Sequence, residues 1–290
     1  MTDPVIQFHA ELVAAFGPLD WLPIPDGQIH RFRVPKDKPS NLNGWYILFL
    51  DGIAAGFFGS WKAGGSHAWS SRKPADPIEA ELIRQRIQQA RHQREAEQHQ
   101  RQQAAAIEAQ RLWNAGALAD PHHPYLIDKG CKPHGLRQRG DVLLVPLYLG
   151  RVLVNLQRIA ADGGKRFLSG GRVKGAYSPI GTLEQGQPLY VCEGWATGAT
   201  IHAETGAAVA CAMNAGNLLE VGRQLQRHHP DSPLIIAGDD DRQTQGNPGR
   251  TAATQAAAVL GCGLVLPPFP DDAPLELSDF NDLANWRAAQ

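Results

Sequence analysis

The chain has 290 residues, a formal net charge of −1, 43% hydrophobic and 20% charged residues. This is the balance of a globular protein with one large core or two modest ones, and it excludes a uniformly basic coat for nucleic acid, so phosphates would have to be met by a local patch. No apolar run approaches the ~18 residues of a membrane span and no signal-peptide pattern opens the chain, while Cys131, Cys192, Cys211 and Cys262 lack zinc-clip spacing, so buried reduced thiols in a cytoplasmic protein are expected.

Residues 1–73 are rich in Gly, Pro and Trp. A helix is expected near residues 4–16, and the runs Gly44–Leu50 and Ile53–Phe58 flank an Asp51-Gly52 turn as a hairpin. Trp61 and Trp69 flank a Gly-rich loop. Such aromatics fill a small core or stack bases, and core is the favoured reading. Residues 74–113 lose Gly and Pro after Pro77 and alternate Arg with Glu among Gln and Ala, which predicts a long solvated helix acting as a spacer.

Residues 114–186 read as a second globular piece. Asp141–Tyr148 and Arg151–Ile159 form a predicted hairpin. A basic stretch follows, with Arg158, Lys165, Arg166, Arg172 and Lys174 interleaved with glycines. Glycine lets backbone approach a phosphate, and the cations neutralise it.

Residues 187–290 alternate strand and helix patterns: strands Pro188–Cys192, Ala207–Ala212, Pro233–Ala237 and Gly263–Leu266, and helices Trp195–Glu204, Asn217–His228, Pro248–Leu260 and one after Ser278. Alternation of this kind predicts βαβ units around a parallel sheet, with the ligand site beyond the carboxyl ends of the strands.

Two acidic clusters fall at those ends: Glu193, followed by Gly194, and the triplet Asp239-Asp240-Asp241. In extended backbone Asp239 and Asp241 share one face and Asp240 points away. Three adjacent acids repel unless a cation neutralises them. Hard carboxylate oxygens suit Mg²⁺ or Mn²⁺, and no His or Cys spacing suits zinc. Asn247 and Pro248 open a helix directed at the site, with Arg242 and Arg250 nearby; Arg250 would reach a triphosphate or form a structural ion pair. Asp279 and Asp282 would add acidic groups or cap the last helix. There is no Walker A pattern.

The order Glu-Gly, then Asp-x-Asp, each after a strand, resembles the Toprim domain of primases, topoisomerases and nucleases. Glu193-Gly194-Trp195-Ala196-Thr197-Gly198 is similar to the EGYATA motif of mobile-element primases of plasmids and satellite phages, with Trp195 for Tyr and Gly198 for Ala. His123-Pro124-Tyr125-Leu126 followed by Lys129-Gly130 resembles the segment that opens the catalytic core of DnaG-like primases, and Leu143 to Ile159 followed by Lys165-Arg166-Phe167-Leu168-Ser169 resembles that core's hairpin and its basic template-facing ridge. The likeness covers roughly residues 114–290. It implies an α/β fold: a Toprim parallel sheet with flanking helices, preceded by a small α+β primase-core subdomain, a helical linker and a small N-terminal α+β domain. Replicative primases also carry a zinc domain and a helical bundle, so this chain corresponds to a compact form or to a piece of a larger protein.

The resemblance implies a DNA primase making short RNA primers de novo on single-stranded DNA. Its catalytic and metal-binding residues would be Glu193, Asp239 and Asp241, with Asp279 and Asp282 as further metal candidates. Arg158, Lys165, Arg166, Arg172, Lys174, Arg242 and Arg250 would bind nucleotide or template. Implied partners are single-stranded DNA, ribonucleoside triphosphates and a replicative helicase or single-strand-binding protein. A Toprim nuclease and an inactive single-strand DNA-binding factor are the alternatives.

Overall fold

The computed structural model describes residues 3–35, 37 and 42–290; the other residues of the expected N-terminal piece lie outside the described set. It divides into two compact units, residues 1–100 and 101–290.

In the first unit, α1 (Pro4–Phe16) starts on Asp3, whose carboxylate accepts from Val5 N at 2.8 Å, and it buries Phe8 and Leu12 one turn apart. Four antiparallel strands follow in sheet order β1 (His30–Phe32), β2 (Gly44–Phe49), β3 (Ala55–Ser60) and β4 (Gly64–Ser70). Phe8 and Leu12 pack against Phe32, Tyr46, Leu48 and Phe58 on one face. On the other, Trp45, Ile47 and Phe57 meet Ala90 of α2 (Pro77–Ala115). Most of the aromatic content is therefore core, held partly by ring pairs such as Phe8–Phe58 at 5.7 Å.

In the second unit, an antiparallel sheet runs in order β5 (Ala117–Leu118), β6 (Arg137–Arg139), β7 (Val142–Leu149), β8 (Val152–Ile159) and β9 (Lys165–Phe167), with α3 (Pro124–Asp128) between β5 and β6. Period-two alternation gives it two apolar faces. Leu144 and Leu156 pack on Ala109 and Leu112 near the end of α2. Leu143, Val145, Leu147 and Ile159 face Trp195, Ala196 and Ala199. The hairpin β7–β8 matches the sequence expectation, because β7 is nearly continuous Val and Leu and β8 opens on Val-Leu-Val.

The remaining elements are β10 (Ser178–Ile180), β11 (Leu189–Cys192), α4 (Trp195–Thr205), β12 (Ala208–Cys211), a 3-10 turn (Ala215–Asn217), α5 (Leu218–His228), β13 (Leu234–Ala237), α6 (Pro248–Leu260), β14 (Gly263–Val265) and α7 (Phe280–Ala288). The second sheet of this unit has the order β10-β12-β11-β13-β14, all parallel except β10. It draws β10 from upstream of residue 187 to cover the side of β12 left unpaired. The chain leaves β11 first for β12 on one side and then for β13 on the other, so a topological switch point lies at the carboxyl end of β11.

Candidate active site

Cys192 of β11 lies in register with Ala237 of β13 and with Cys211 of β12. Glu193 and Asp239 therefore leave adjacent strands at the same edge, and adjacent strands lie about 4.8 Å apart. Two glycines permit the turns. A Cβ on Gly238 would meet Ala253 Cβ at 2.3 Å, and one on Gly249 would lie 2.9 Å from Asp239 O and Asp241 Oδ2. The first turn of α6 is thus pressed onto the acidic turn, and Gly249 N donates to Asp241 Oδ2 at 2.8 Å.

Four carboxylates sense one another there. Burial, then Asp241, pushes Glu193 up to about 7, while the Ala215 N–H acts in the opposite direction. Burial, then Glu193, Asp279 and Asp241, pushes Asp239 up to about 9. Burial and Asp282 also raise Asp279. Glu193 Oε1 and Asp239 Oδ1 are buried without a hydrogen-bond partner. Orphaned, mutually repelling carboxylate oxygens are a fit for a hard cation. Among the described residues no three His, Cys, Asp or Glu side chains converge as a ready-made cage.

The triplet splits by direction. Asp239 and Asp241 lie on the Glu193 side of the turn, whereas Asp240 is 4% exposed and faces the other way. Arg250 Nε and Nη2 donate to its two oxygens at 3.0 and 2.7 Å, and Asn247 Nδ2 donates at 2.6 Å. Of the two roles open to Arg250 in the sequence, the structure shows the ion pair. Arg242 is also committed within the protein: its guanidinium lies 4.2 Å from the Phe269 ring centroid and donates to Pro274 O at 2.6 Å and Leu277 O at 3.3 Å.

Asp279 both caps and faces the cluster. Its Oδ1 accepts from Asp282 N at 2.8 Å, and its Oδ2 accepts from Thr197 Oγ1 of α4 at 3.0 Å. Asp282 accepts from Ser278 N at 3.1 Å and lies 3.7 Å from Lys129 Nζ.

The basic stretch divides in two. Lys165 pairs with Ile159 and so shares the face directed at α4; its ammonium lies 5.4 Å from the Tyr125 ring centroid. Crowding by protein and by Lys129 lowers its pKa, while Asp279, Asp239 and Asp282 hold it up. Arg158 and Arg166 are cross-strand partners on the opposite face, where they line a cavity of about 330 Å³ with Val142. The sequence treated these cations as one ridge, yet Lys165 and Arg166 are consecutive and must point oppositely. Arg172 and Lys174 sit on a separate exposed loop.

Sequence reasoning did not assign Lys129, Thr197 or Tyr125 to the site. Lys129 stands in the Lys129-Gly130 pair already singled out, which was the available signal. Tyr125 is 2% exposed, its hydroxyl has no partner, and burial followed by Cys131 and Asp279 raises its pKa. The motif's two departures also have reasons. Trp195, 1% exposed, fills the core between the sheets. At Gly198 a Cβ would lie 2.4 Å from Cys211 Sγ, so the thiol occupies the space of an alanine methyl.

Residues 188–289 match the family model described as Toprim domain. The chain is 36% identical over 262 residues to an Escherichia coli protein named DNA primase TraC, covering 85% of this chain and 24% of that protein. A second Escherichia coli DNA primase TraC is 34% identical over 274 residues, covering 90% and 19% respectively. The chain thus spans about a quarter or less of the length of these relatives. Among solved structures, the Aquifex aeolicus primase with its zinc-binding and RNA polymerase domains aligns with 95% of this chain and 81% of its own at 13% identity and a TM-score of 0.41. The DnaG catalytic core aligns with 52% of this chain and 53% of its own at 17% identity and a TM-score of 0.33. With the switch-point carboxylates on a mostly parallel sheet, residues 188–289 form a Toprim domain, and the chain is similar in sequence to DNA primases named TraC.

Proposed function

We propose that the protein is a primase that joins ribonucleotides de novo on a single-stranded DNA template. The observation that carries this reading is the cluster of Glu193, Asp239, Asp241 and Asp279 at one strand edge, two of them with buried unpartnered oxygens, beside Lys129 and Lys165. In the reaction the 3′-hydroxyl of one nucleotide attacks the α-phosphorus of the next, an oxygen–phosphorus bond forms, pyrophosphate leaves, and the hydroxyl proton passes to solvent or a carboxylate.

Glu193 and Asp239 would hold one or two Mg²⁺ or Mn²⁺ ions, with Asp241 and Asp279 completing the charge. Bound there, the ion lowers the pKa of the attacking hydroxyl and neutralises charge on the leaving group. Lys129 and Lys165 would orient the triphosphate, since both ammonium groups stand beside the carboxylates. Arg158 and Arg166, on the other sheet face, would take template phosphates instead. Arg242 and Arg250 would hold the acidic turn in shape. The four free thiols fit a reducing compartment such as cytoplasm, and no helix among the described residues is long and apolar enough to cross a membrane.

The test incubates the protein with single-stranded DNA, four ribonucleotides and Mg²⁺ or Mn²⁺. Short RNA products that fall at least about 10²-fold in Asp239→Ala are expected, the order of loss when a charge-stabilising group is removed. Shortened DNA without RNA would make the protein a nuclease on the same carboxylates, and retention of DNA with neither product would make it a binding factor.

A further inference from the structure

Glu193 rests on the segment that follows β12. Its carbonyl accepts from Met213 N at 2.7 Å, and Cys192 O accepts from Ala212 N at 2.7 Å. The Ala215 N–H is directed at the Glu193 carboxylate. Met213 holds a left-handed backbone, φ +71°, which a non-glycine residue keeps only when its surroundings fix it.

One side chain supplies much of that fixing. Asn217, 3% exposed, donates through Nδ2 to Ala212 O at 2.8 Å, closing the segment on itself. The same Nδ2 reaches Val173 O at 3.1 Å and Ala176 O at 3.0 Å, and Oδ1 accepts from Gly175 N at 2.7 Å. Its other side-chain hydrogen bonds thus go to the loop that carries Arg172 and Lys174. Gln224 of α5 grips the same loop, donating to Gly175 O at 3.0 Å. Gly175 has φ +76°, and a Cβ there would strike Gln224 Nε2 at 2.4 Å, so the fit is specific to glycine. From the other side Asn155, 0% exposed, donates to Arg172 O at 3.3 Å.

We propose that Asn217 is a positioning residue, fixing the exposed cations Arg172 and Lys174 in register with Glu193 so that a phosphodiester strand held by the loop lies at a set distance from the acidic centre. This rests on the nucleic-acid reading of the site above. Asn217 touches neither strand nor ion; it acts through backbone on both sides.

The experiment measures single-stranded DNA affinity by fluorescence anisotropy at several salt concentrations in the full chain, for wild type, Asn217→Ala, Arg172→Ala/Lys174→Ala and the triple variant, with melting temperatures alongside. Loss of two phosphate contacts should flatten the slope of log affinity against log salt by about 1.4, at about 0.7 per contact for single strands. Asn217→Ala should show most of that flattening, and the triple variant should match Arg172→Ala/Lys174→Ala, because the two changes act through one loop. If Asn217→Ala does not fold, Gln224→Ala, which removes one loop contact only, should show a smaller flattening that likewise disappears in the cation-less background. A wild-type slope in both Asn217→Ala and Gln224→Ala, or losses that add in the combined variants, overturns the proposal. A wild-type slope in Arg172→Ala/Lys174→Ala overturns it together with the phosphate role of the loop. Non-additive binding in a protein that makes no primers removes the polymerase reading alone and supports the role of Asn217.

Discussion

A carboxyl group surrounded by other carboxyls holds its proton more tightly than one in water, and Asp239 is the sharpest instance here. Its folded pKa is pushed up to about 9 from an ordinary 3.8, by burial first and by Glu193, Asp279 and Asp241 after it. The folded state therefore binds this proton more strongly than the unfolded chain does. The stabilisation is complete below about 3.8 and is lost as pH rises through about 9. Asparagine carries no charge at any pH, so Asp239→Asn should melt higher than wild type in chelator at pH 8 and show little advantage at pH 4. If about 1 kcal/mol of the repulsion survives solvent screening, the gain is about 2–4 °C. Added Mg²⁺ should raise the melting temperature of wild type and not of the variant. Thermal melts at the two pH values, with and without the ion, measure both effects, and an equal advantage at pH 4 and pH 8 would remove electrostatic repulsion as its cause.

At the level of elements, packing explains the two departures from the EGYATA pattern and which strands could be read in advance. The α4 backbone crosses β11 and β12 so closely that a Cβ at Gly198 would sit 2.4 Å from Cys211 Sγ and 3.1 Å from Cys192 Sγ. Gly198→Ala should therefore overpack the contact and destabilise by about 1–3 kcal/mol, despite alanine's better helix propensity. Cys211→Ala removes the obstructing sulfur, so Gly198→Ala/Cys211→Ala should recover most of that loss. Denaturant melts of the two single variants and the double variant test the coupling, and simple additivity would show that the thiol is not the obstacle. The buried strands β7, β11 and β13 were legible because burial on both sides demands Val, Ile and Leu runs. The strands β1, β4, β5, β6, β9 and β10 were not. They are short or exposed, as in the Gly64–Ser70 run of β4, and a neighbour's pairing rather than their own pattern makes them strands. Glu193 and Asp239 were legible for the same reason as β11 and β13, since a carboxylate straight after a buried run marks a sheet edge. Lys129 and Thr197 were not, because long-range packing alone brings them beside Asp282 and Asp279. The grouping of Arg158, Lys165 and Arg166 as one ridge overlooked the period of two within β9.

For the whole molecule, the division at residue 100 carries its own consequence. Every carboxylate of the acidic cluster, Lys129, Lys165 and the Arg172–Lys174 loop belong to residues 101–290, as does the α2 segment through Ala109 and Leu112 that covers the Leu144 face of the first sheet of that unit. A fragment of residues 101–290 keeps both apolar faces of that sheet covered, and a cut after residue 113 would bare Leu144, Leu153 and Leu156. The longer fragment should melt cooperatively and bind Mg²⁺ with an affinity within about twofold of the full chain, a difference of less than 0.5 kcal/mol. The fragment beginning at 114 should melt lower or lose cooperativity, because three buried leucines meet water at a cost of about 1.5–3 kcal/mol each when fully exposed. Calorimetry of both fragments with an ion titration of the longer one decides this. If the 101–290 piece folds and binds the ion but takes up single-stranded DNA more weakly than the full chain, the first unit contributes to holding the strand. Equal uptake would confine residues 1–100 to another role, in keeping with how thoroughly their aromatic rings are spent on their own core.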